Sequence, residues 1–321
     1  MHIVQSIIDL PAIFSSSAVT LGNFDGVHLG HRELFRSLVR VARDLNCPSV
    51  VYTFQPHPLK IIAPDRAPLL LNTLEEKRRL IASSHIDYLI EAPFTADFAK
   101  IRPQKFVTDI LLEKLKIKAL VVGYDYAFGN GREGNADFLK ACGDQYGFNV
   151  DVLQPVGDDG LPYSSTRIRA MVAAGGVADL VRLLGRQYNL EGVVVLGDQR
   201  GRELGFPTAN LDTDKEQLPA TGVYAVKVRC GLQEYSGVVN IGNRPTFDGL
   251  NSTIEVYLLD FSGQLYGEKL RIYFVERLRG EQKFANVDEL VSAIENDIVR
   301  ARLILQSAHI IQYREYLSLK S

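Results

Sequence analysis

The chain has 321 residues, 46% of them apolar and 23% charged, with a formal net charge of −2. That balance describes a globular protein with room for two domains, and it excludes the basic surface that nucleic acid or an anionic membrane would require. Cys47, Cys142 and Cys230 are too widely spaced for a zinc pattern or a disulfide framework, no apolar run is long enough to span a bilayer, and the start lacks the basic region of a secretory signal, so a reducing cytoplasm is expected.

The first predicted strand, Ala18–Leu21, runs into Gly22-Asn23-Phe24-Asp25-Gly26-Val27-His28-Leu29-Gly30-His31. An amphipathic segment follows, with Leu34, Leu38, Val41 and Leu45 on one face. Strand, glycine-bearing turn and helix in that order aim backbone N–H groups and a helix N-terminus at one point, which suits a bound phosphate. His28 and His31 lie three apart on one side of the first helical turn, where both can face that point. A bare His-x-x-His pair is more often chance, a metal half-site or plain surface. The flanking glycines and Asp25 shift the balance towards phosphate stabilisation during nucleotidyl transfer.

Ser49–Phe54 is the next strand, ending in Phe54-Gln55-Pro56-His57-Pro58. The prolines fix the chain direction there, and Phe54 and His57 suit either a flat aromatic ligand or a rigid exit loop. Thr73-Leu74-Glu75-Glu76 is a capping box that opens a helix. Tyr88–Glu91 reads as a short strand. A helix entered at Pro103 is expected to bury Phe106, Ile110, Leu111 and Leu115. Ala119–Val122 and Phe148–Leu153 are further strands, with a helix around Asn135–Tyr146 between them. This alternation predicts a parallel sheet with helices on both faces and ligands beyond the carboxyl ends of the strands. Gly129-Asn130-Gly131-Arg132-Glu133-Gly134 fits Gly-x-Gly-x-x-Gly. Its glycines stand several residues past the strand, so it reads as a loop beside Asp125 and Phe128. In Pro162–Arg169, hydroxyls at a helix start can cap it and donate to phosphate oxygens, and Arg167 and Arg169 add positive charge within the first turn. Alone, the run is better read as an N-cap on a solvated basic face.

The pattern changes after about Gly185. Glu191–Leu196, Val223–Cys230, Tyr235–Ile241, Thr253–Asp260 and Leu270–Leu278 are strand-like and separated by glycine-rich or polar turns, which predicts an antiparallel barrel or sandwich. A helix from Asp288 to about Leu317 is expected to cover it. The boundary is placed so that 1–185 and 186–321 are the two domains. In Gly201–Asn210, Thr208 and Asn210 share a face and offer neutral oxygens, which suit Mg2+ already holding nucleotide phosphates; a rigid proline turn is the simpler use of the fragment. Thr253, Glu255 and Tyr257 share one strand face. A carboxylate there can take a proton from an attacking hydroxyl, although most such residues are merely solvated.

These runs, in this order and spacing, resemble the bacterial bifunctional riboflavin kinase/FMN adenylyltransferase (FAD synthetase) family over nearly the whole chain. The resemblance is carried by Gly22–His31, Phe54–Pro58, Val121–Gly134, Ser164–Arg169, Gly197–Asn210, Gly237–Phe247, the strand with Glu255, and Arg277–Phe284. It implies an α/β Rossmann-like nucleotidyltransferase domain with a parallel sheet, then an antiparallel β-barrel riboflavin-kinase domain with a C-terminal helix. It also implies ATP and Mg2+ in both steps: the barrel phosphorylates riboflavin to FMN, and the first domain transfers AMP to FMN, giving FAD and pyrophosphate. By position, His28, His31 and Arg169 are the adenylyltransferase's charge-stabilising residues. Gly22, Phe24, Asp25, Gly26, Gly30, Ser164, Ser165 and Thr166 are nucleotide contacts. Phe54, His57, Asp125 and Phe128 match flavin contacts. Gly205, Pro207, Thr208 and Asn210 match the kinase's Mg-ATP motif, and Glu255 its base. Tyr163 departs from the usual aliphatic residue, and the Tyr124-Asp125 pair varies within the family. The implied partners are the small molecules riboflavin, FMN and ATP, with no nucleic acid or membrane, and the oligomeric state stays open. Two alternatives remain: a single-activity nucleotidyltransferase whose barrel binds a regulator, and a non-catalytic flavin-binding protein.

Overall fold

The computed structural model describes residues 1–5, 15–197, 201, 204–246 and 249–312. Arg202, Glu203, Phe247 and the last residues of the predicted terminal helix lie outside them. The chain divides after Ser164 into two compact units.

The first unit holds β1 (His2–Val4), β2 (Ser17–Leu21), β3 (Ser49–Gln55), β4 (Tyr88–Pro93) and β5 (Ile117–Gly123). A short hairpin follows, β6 (Ala127–Phe128) with β7 (Gly134–Asn135), and then β8 (Asn149–Leu153). A second small hairpin, β9 (Gly157–Asp158) with β10 (Leu161–Pro162), closes the unit. Six strands form one parallel sheet in the order β1-β4-β3-β2-β5-β8. Strand β2 is buried along its whole length, as an inner parallel strand covered on both faces should be. From β2 the chain steps outward to β3 and β4, then returns to lay β5 on the other side of β2. The strand order therefore reverses between β2 and β5, and open α/β sheets bind ligands at the carboxyl ends beside such a point.

Helix α1 (Leu29–Asp44) buries Leu34, Phe35, Leu38 and Ala42; Val41 and Leu45 of the predicted stripe are only half-buried. After α2 (Pro58–Ile62), helix α3 (Leu74–Ala82) has the predicted capping box, with Thr73 Oγ1 accepting from the Glu76 amide at 3.2 Å and Glu76 Oε2 accepting from the Thr73 amide at 3.0 Å. The helix predicted from Pro103 differs from expectation. One α turn, α4 (Pro103–Lys105), widens into a π-helix over Phe106–Leu112, with Glu113 bonded back to Thr108 and Leu115 to Ile110. The wider turn brings Phe106, Val107, Leu111 and Leu115 into the core and leaves Ile110 partly outside it. Helix α5 (Ala136–Tyr146) adds Leu139 and Cys142. Gly129–Gly134 closes the β6–β7 hairpin rather than linking a strand to a helix, which removes it as a dinucleotide loop.

The second unit opens with α6 (Ser165–Ala173) and α7 (Leu180–Leu184). Strands β11 (Asn189–Val195), β12 (Ala209–Asp212), β13 (Gly222–Cys230), β14 (Gln233–Thr246), β15 (Gly249–Leu258) and β16 (Lys269–Arg279) follow and close an antiparallel barrel in the order β11-β12-β15-β14-β13-β16. Val223, Ala225 and Val238 pack with Ala301 and Leu305 of α8 (Val287–Gln306) on one side of the wall. The alternate residues Tyr224, Val226 and Val239 are fully buried on the other, the period of two that a barrel wall requires. Asp297 of α8 accepts from Arg279 of β16 at 2.8 Å. The helix ends at Gln306, short of the expected span, and residues 307–312 are not helical.

By contact, α6 and α7 belong with the barrel, although the sequence reading places its boundary at Gly185. The Ala220 amide donates to the Val172 carbonyl at 3.2 Å, and Arg277 donates to the carbonyls of Ala174 at 3.3 Å and Thr221 at 2.7 Å.

Candidate active sites

Strand β2 ends at Leu21, and the chain turns through residues 22–28 before α1 begins. Phe24, Gly26 and Val27 take φ angles of 50°, 80° and 38°. Two non-glycine residues in the left-handed region store strain on the order of 1–3 kcal/mol each, a pattern that collects at functional sites. Packing holds them there: Phe24 is 3% exposed and Val27 0%. The Phe24 ring meets His31 edge-on at 5.3 Å and Phe35 at 5.0 Å. A side chain at Gly26 would reach Leu71 Cδ1 at 2.8 Å, and one at Gly30 would reach His28 Nδ1 at 3.1 Å. Gly22 lies against the Phe24 ring.

His28 is the N-cap of α1, and its Nδ1 accepts from the His31 amide at 3.3 Å. With Nδ1 an acceptor, the ring proton of the neutral imidazole sits on Nε2. The His28 and His31 rings stack with centroids 3.6 Å apart and 20° between planes. They form one unit at a helix N-terminus, where the backbone already favours an anion.

Asp25 is 6% exposed. Its carboxylate accepts from the Leu71 amide at 3.0 and 3.1 Å and from the Asn72 amide at 3.2 Å. The residue expected as a nucleotide contact therefore staples the turn to the segment before α3. Asp25→Ala leaves two buried amides without this acceptor and lowers unfolding free energy by about 2–4 kcal/mol. Urea unfolding of the first unit measures it, and Asp25→Asn, which keeps one acceptor oxygen, should lose less.

Lys77 was not singled out in the sequence, where it sits in a charged helix, Glu-Glu-Lys-Arg-Arg. It is 9% exposed; its ammonium donates to Thr53 Oγ1 at 3.4 Å, and Thr53 Oγ1 donates to the Asn23 carbonyl of the turn at 3.2 Å. Burial pushes its pKa down, against the opposing pull of Glu91 and Asp25.

The flavin candidates Phe54 and Phe128 join through one aromatic cluster. Phe54 meets Phe98 at 5.4 Å, Phe98 meets Phe106 at 6.2 Å, and Phe106 meets Phe128 at 5.4 Å. Phe128 is buried, whereas Asp125, just past the end of β5, is exposed. His57 caps α2 through Nδ1, which accepts from the Leu59 amide at 3.2 Å, and its Nε2 lies 3.3 Å from Asn23 Nδ2. The proline-flanked run is thus tied to the phosphate turn. Ser164 ends the first unit. Ser165 and Thr166 lie in the first turn of α6, and Arg169 opens its second turn rather than completing the first.

In the barrel, Asn210 of β12 pairs with Glu255 of β15, which pairs in turn with Asn240 of β14. Directly opposed antiparallel residues share a face, with Cβ atoms about 4.5–5.5 Å apart. None of the three side chains makes a hydrogen bond or ion pair among the described residues. Asn210 lies over Gly197, where a Cβ would stand 1.9 Å from its Nδ2. Gly205, with φ of 87°, and the exposed Pro207 turn the chain into β12, and Thr208 precedes that strand by one residue. The described residues hold no group of three or more His, Cys, Asp or Glu side chains able to bind a metal. Asn240 escaped the sequence reading because nothing local marks it; only the strand register places it beside Glu255.

The FAD synthetase family model matches residues 10–167 and the riboflavin kinase model residues 184–305; Arg169 and most of α6 fall between them. The chain is 40% identical over 304 residues to the bifunctional riboflavin kinase/FMN adenylyltransferase of Escherichia coli (strain K12), covering 94% of this chain and 97% of that one. It is 38% identical over 311 residues to the Pseudomonas fluorescens protein of the same name, covering 96% and 100%. A crystal structure described as a macrolide-efflux protein from Streptococcus pneumoniae matches with a TM-score of 0.85 at 34% identity, covering 94% of this chain and 98% of that one. No helix among the described residues is long and apolar enough to cross a membrane. The chain belongs to the bifunctional riboflavin kinase/FMN adenylyltransferase family.

Proposed function

We propose that the chain makes FAD from riboflavin in two ATP-dependent steps, with residues 186–321 as the kinase and 1–185 as the adenylyltransferase. One observation carries this reading: each compact unit has its own set of groups suited to phosphoryl chemistry, the stacked imidazoles in one and the Asn210–Glu255 rung in the other. Both steps are in-line transfers without a covalent enzyme intermediate, so the protein's task is placement and charge stabilisation.

In the kinase step, Glu255 takes the proton of the ribityl 5′-hydroxyl. The hydroxyl oxygen bonds to the γ-phosphorus of ATP, and ADP leaves. Thr208 and Asn210 offer neutral oxygens, and the described residues hold no cluster of three or more metal-binding side chains, a donor set that fits Mg2+ arriving with its own phosphate and water ligands. When bound, Mg2+ would neutralise charge on the triphosphate oxygens. In the second step, a phosphate oxygen of FMN bonds to the α-phosphorus of ATP and pyrophosphate leaves. His28, through Nε2–H, and His31 meet the growing charge. Ser164, Ser165, Thr166 and Arg169 keep the nucleotide-phosphate role that the resemblance implies. Phe54, His57, Asp125 and Phe128 keep the flavin role, with the aromatic cluster supporting Phe54 and Phe128. Three free cysteines support a reducing, cytoplasmic setting.

Chromatography of the products formed from riboflavin, ATP and Mg2+ tests the reading. FMN followed by FAD and pyrophosphate is expected. FAD from supplied FMN but no FMN from riboflavin would mark a single-activity adenylyltransferase, and no product at all a non-catalytic flavin-binding protein.

A further inference from the structure

Lys77 of α3 is a buried ammonium with no carboxylate of its own. No ion pair joins it to an acidic side chain among the described residues. The two carboxylates whose charge it feels are engaged elsewhere: Glu91 binds Arg78 at 2.9 and 2.6 Å, and Asp25 accepts from the Leu71 and Asn72 amides. An ammonium buried in this way costs stability. Its hydrogen bond goes to Thr53 Oγ1 at 3.4 Å.

An ammonium can only donate. The Thr53 hydroxyl therefore accepts from Lys77, and its single proton is left for the Asn23 carbonyl at 3.2 Å. Thr53 is fully buried, so bulk water does not compete for either bond. The Asn23–Phe24 peptide is trans and planar, and a carbonyl held towards Thr53 turns the Phe24 N–H the opposite way. That N–H makes no hydrogen bond among the described residues. Phe24 is also the first residue of the turn in the left-handed region, with φ of 50°. Backbone strain of this kind persists only while the surroundings hold it. We infer that Lys77 is a positioning residue for adenylyl transfer: through Thr53 it fixes the Asn23–Phe24 peptide of the phosphate turn. The inference rests on the reading that this turn, with His28, serves the nucleotide.

Lys77→Met keeps the length of the side chain and strands no carboxylate, because Arg78 still pairs with Glu91. Turnover in FAD formation from supplied FMN should fall about ten- to a hundredfold, as for a small misplacement of a reacting group, with the KM for FMN within about twofold. Thr53→Val should lose as much. Thr53→Ser keeps the hydroxyl and should retain the wild-type rate, although it gives up a core methyl group. The double variant Lys77→Met/Thr53→Val should be no slower than Thr53→Val alone, since both side chains act along one chain of bonds. It replaces both polar groups by apolar ones, so its thermal unfolding should be less disturbed than that of Thr53→Val. A merely structural lysine would not show this loss of rate without a matching loss of stability. Wild-type turnover in Lys77→Met overturns the inference, and so does a double variant whose loss is the product of the two single losses. Should Lys77→Met fold poorly, equal turnover in Thr53→Val and Thr53→Ser overturns it instead. His28→Ala separates this inference from the reading beneath it. Full FAD formation in that variant removes the turn from catalysis, whereas its loss beside an unaffected Lys77→Met removes only the lysine.

Discussion

His28→Ala abolishes most FAD formation while FMN formation from riboflavin continues. The variant loses the imidazole at the N-terminus of α1, and removal of one preorganised donor to a developing oxyanion typically slows reaction about a hundred- to a thousandfold. It also loses the helix cap in which His28 Nδ1 accepts from the His31 amide at 3.3 Å. A lost cap costs about 1 kcal/mol of stability. The two losses can be separated, because His28→Asn retains a side-chain oxygen for the cap but has no imidazole. It should recover the stability and not the rate. The stacked rings, 3.6 Å apart, act together. The double variant His28→Ala/His31→Ala should therefore be little slower than the worse single variant, since groups that work as a unit are strongly non-additive. Kinase turnover, measured on the same chain, reports that the remainder has folded. FAD formation at the wild-type rate in His28→Ala would remove the imidazole pair from the mechanism.

Some of this was legible in the sequence because it depends on local pattern. The alternation of apolar strands with amphipathic helices marked the parallel sheet, and Thr73 with Glu76 marked the cap of α3. Turn residues at regular spacing marked the barrel strands. The missed features depend on pairing between distant segments, or on departures from the regular periods that such readings assume. β12 has four residues and no alternation long enough to detect. The π-helix brings Val107 into the core and leaves Ile110 partly outside it, where the regular helical period expects Ile110 inside. Asp25 could be recognised as important, but only the fold shows that its carboxylate binds the amides of Leu71 and Asn72. Asn240 and Lys77 look like ordinary strand and helix polar residues until strand register and burial place them.

Register is also the basis of the second large expectation. Glu255→Gln keeps the size and much of the hydrogen-bonding capacity of the side chain but cannot accept a proton. If Glu255 deprotonates the ribityl hydroxyl, kinase turnover should fall about a hundred- to ten-thousandfold with little change in the KM for riboflavin or ATP. Asn210→Ala should behave differently. Its side chain lies over Gly197, and if it helps hold Mg-ATP its loss raises the KM for ATP and lowers turnover together. Both variants should adenylylate supplied FMN at the wild-type rate, because the imidazole pair proposed for that reaction lies in the other compact unit. Asn210 and Glu255 occupy one rung of the sheet, so their effects should couple in the double variant. A retained kinase in Glu255→Gln would leave a half-buried carboxylate, without a partner among the described residues, with no chemical task. Equal loss of both activities would point instead to misfolding or to one shared site.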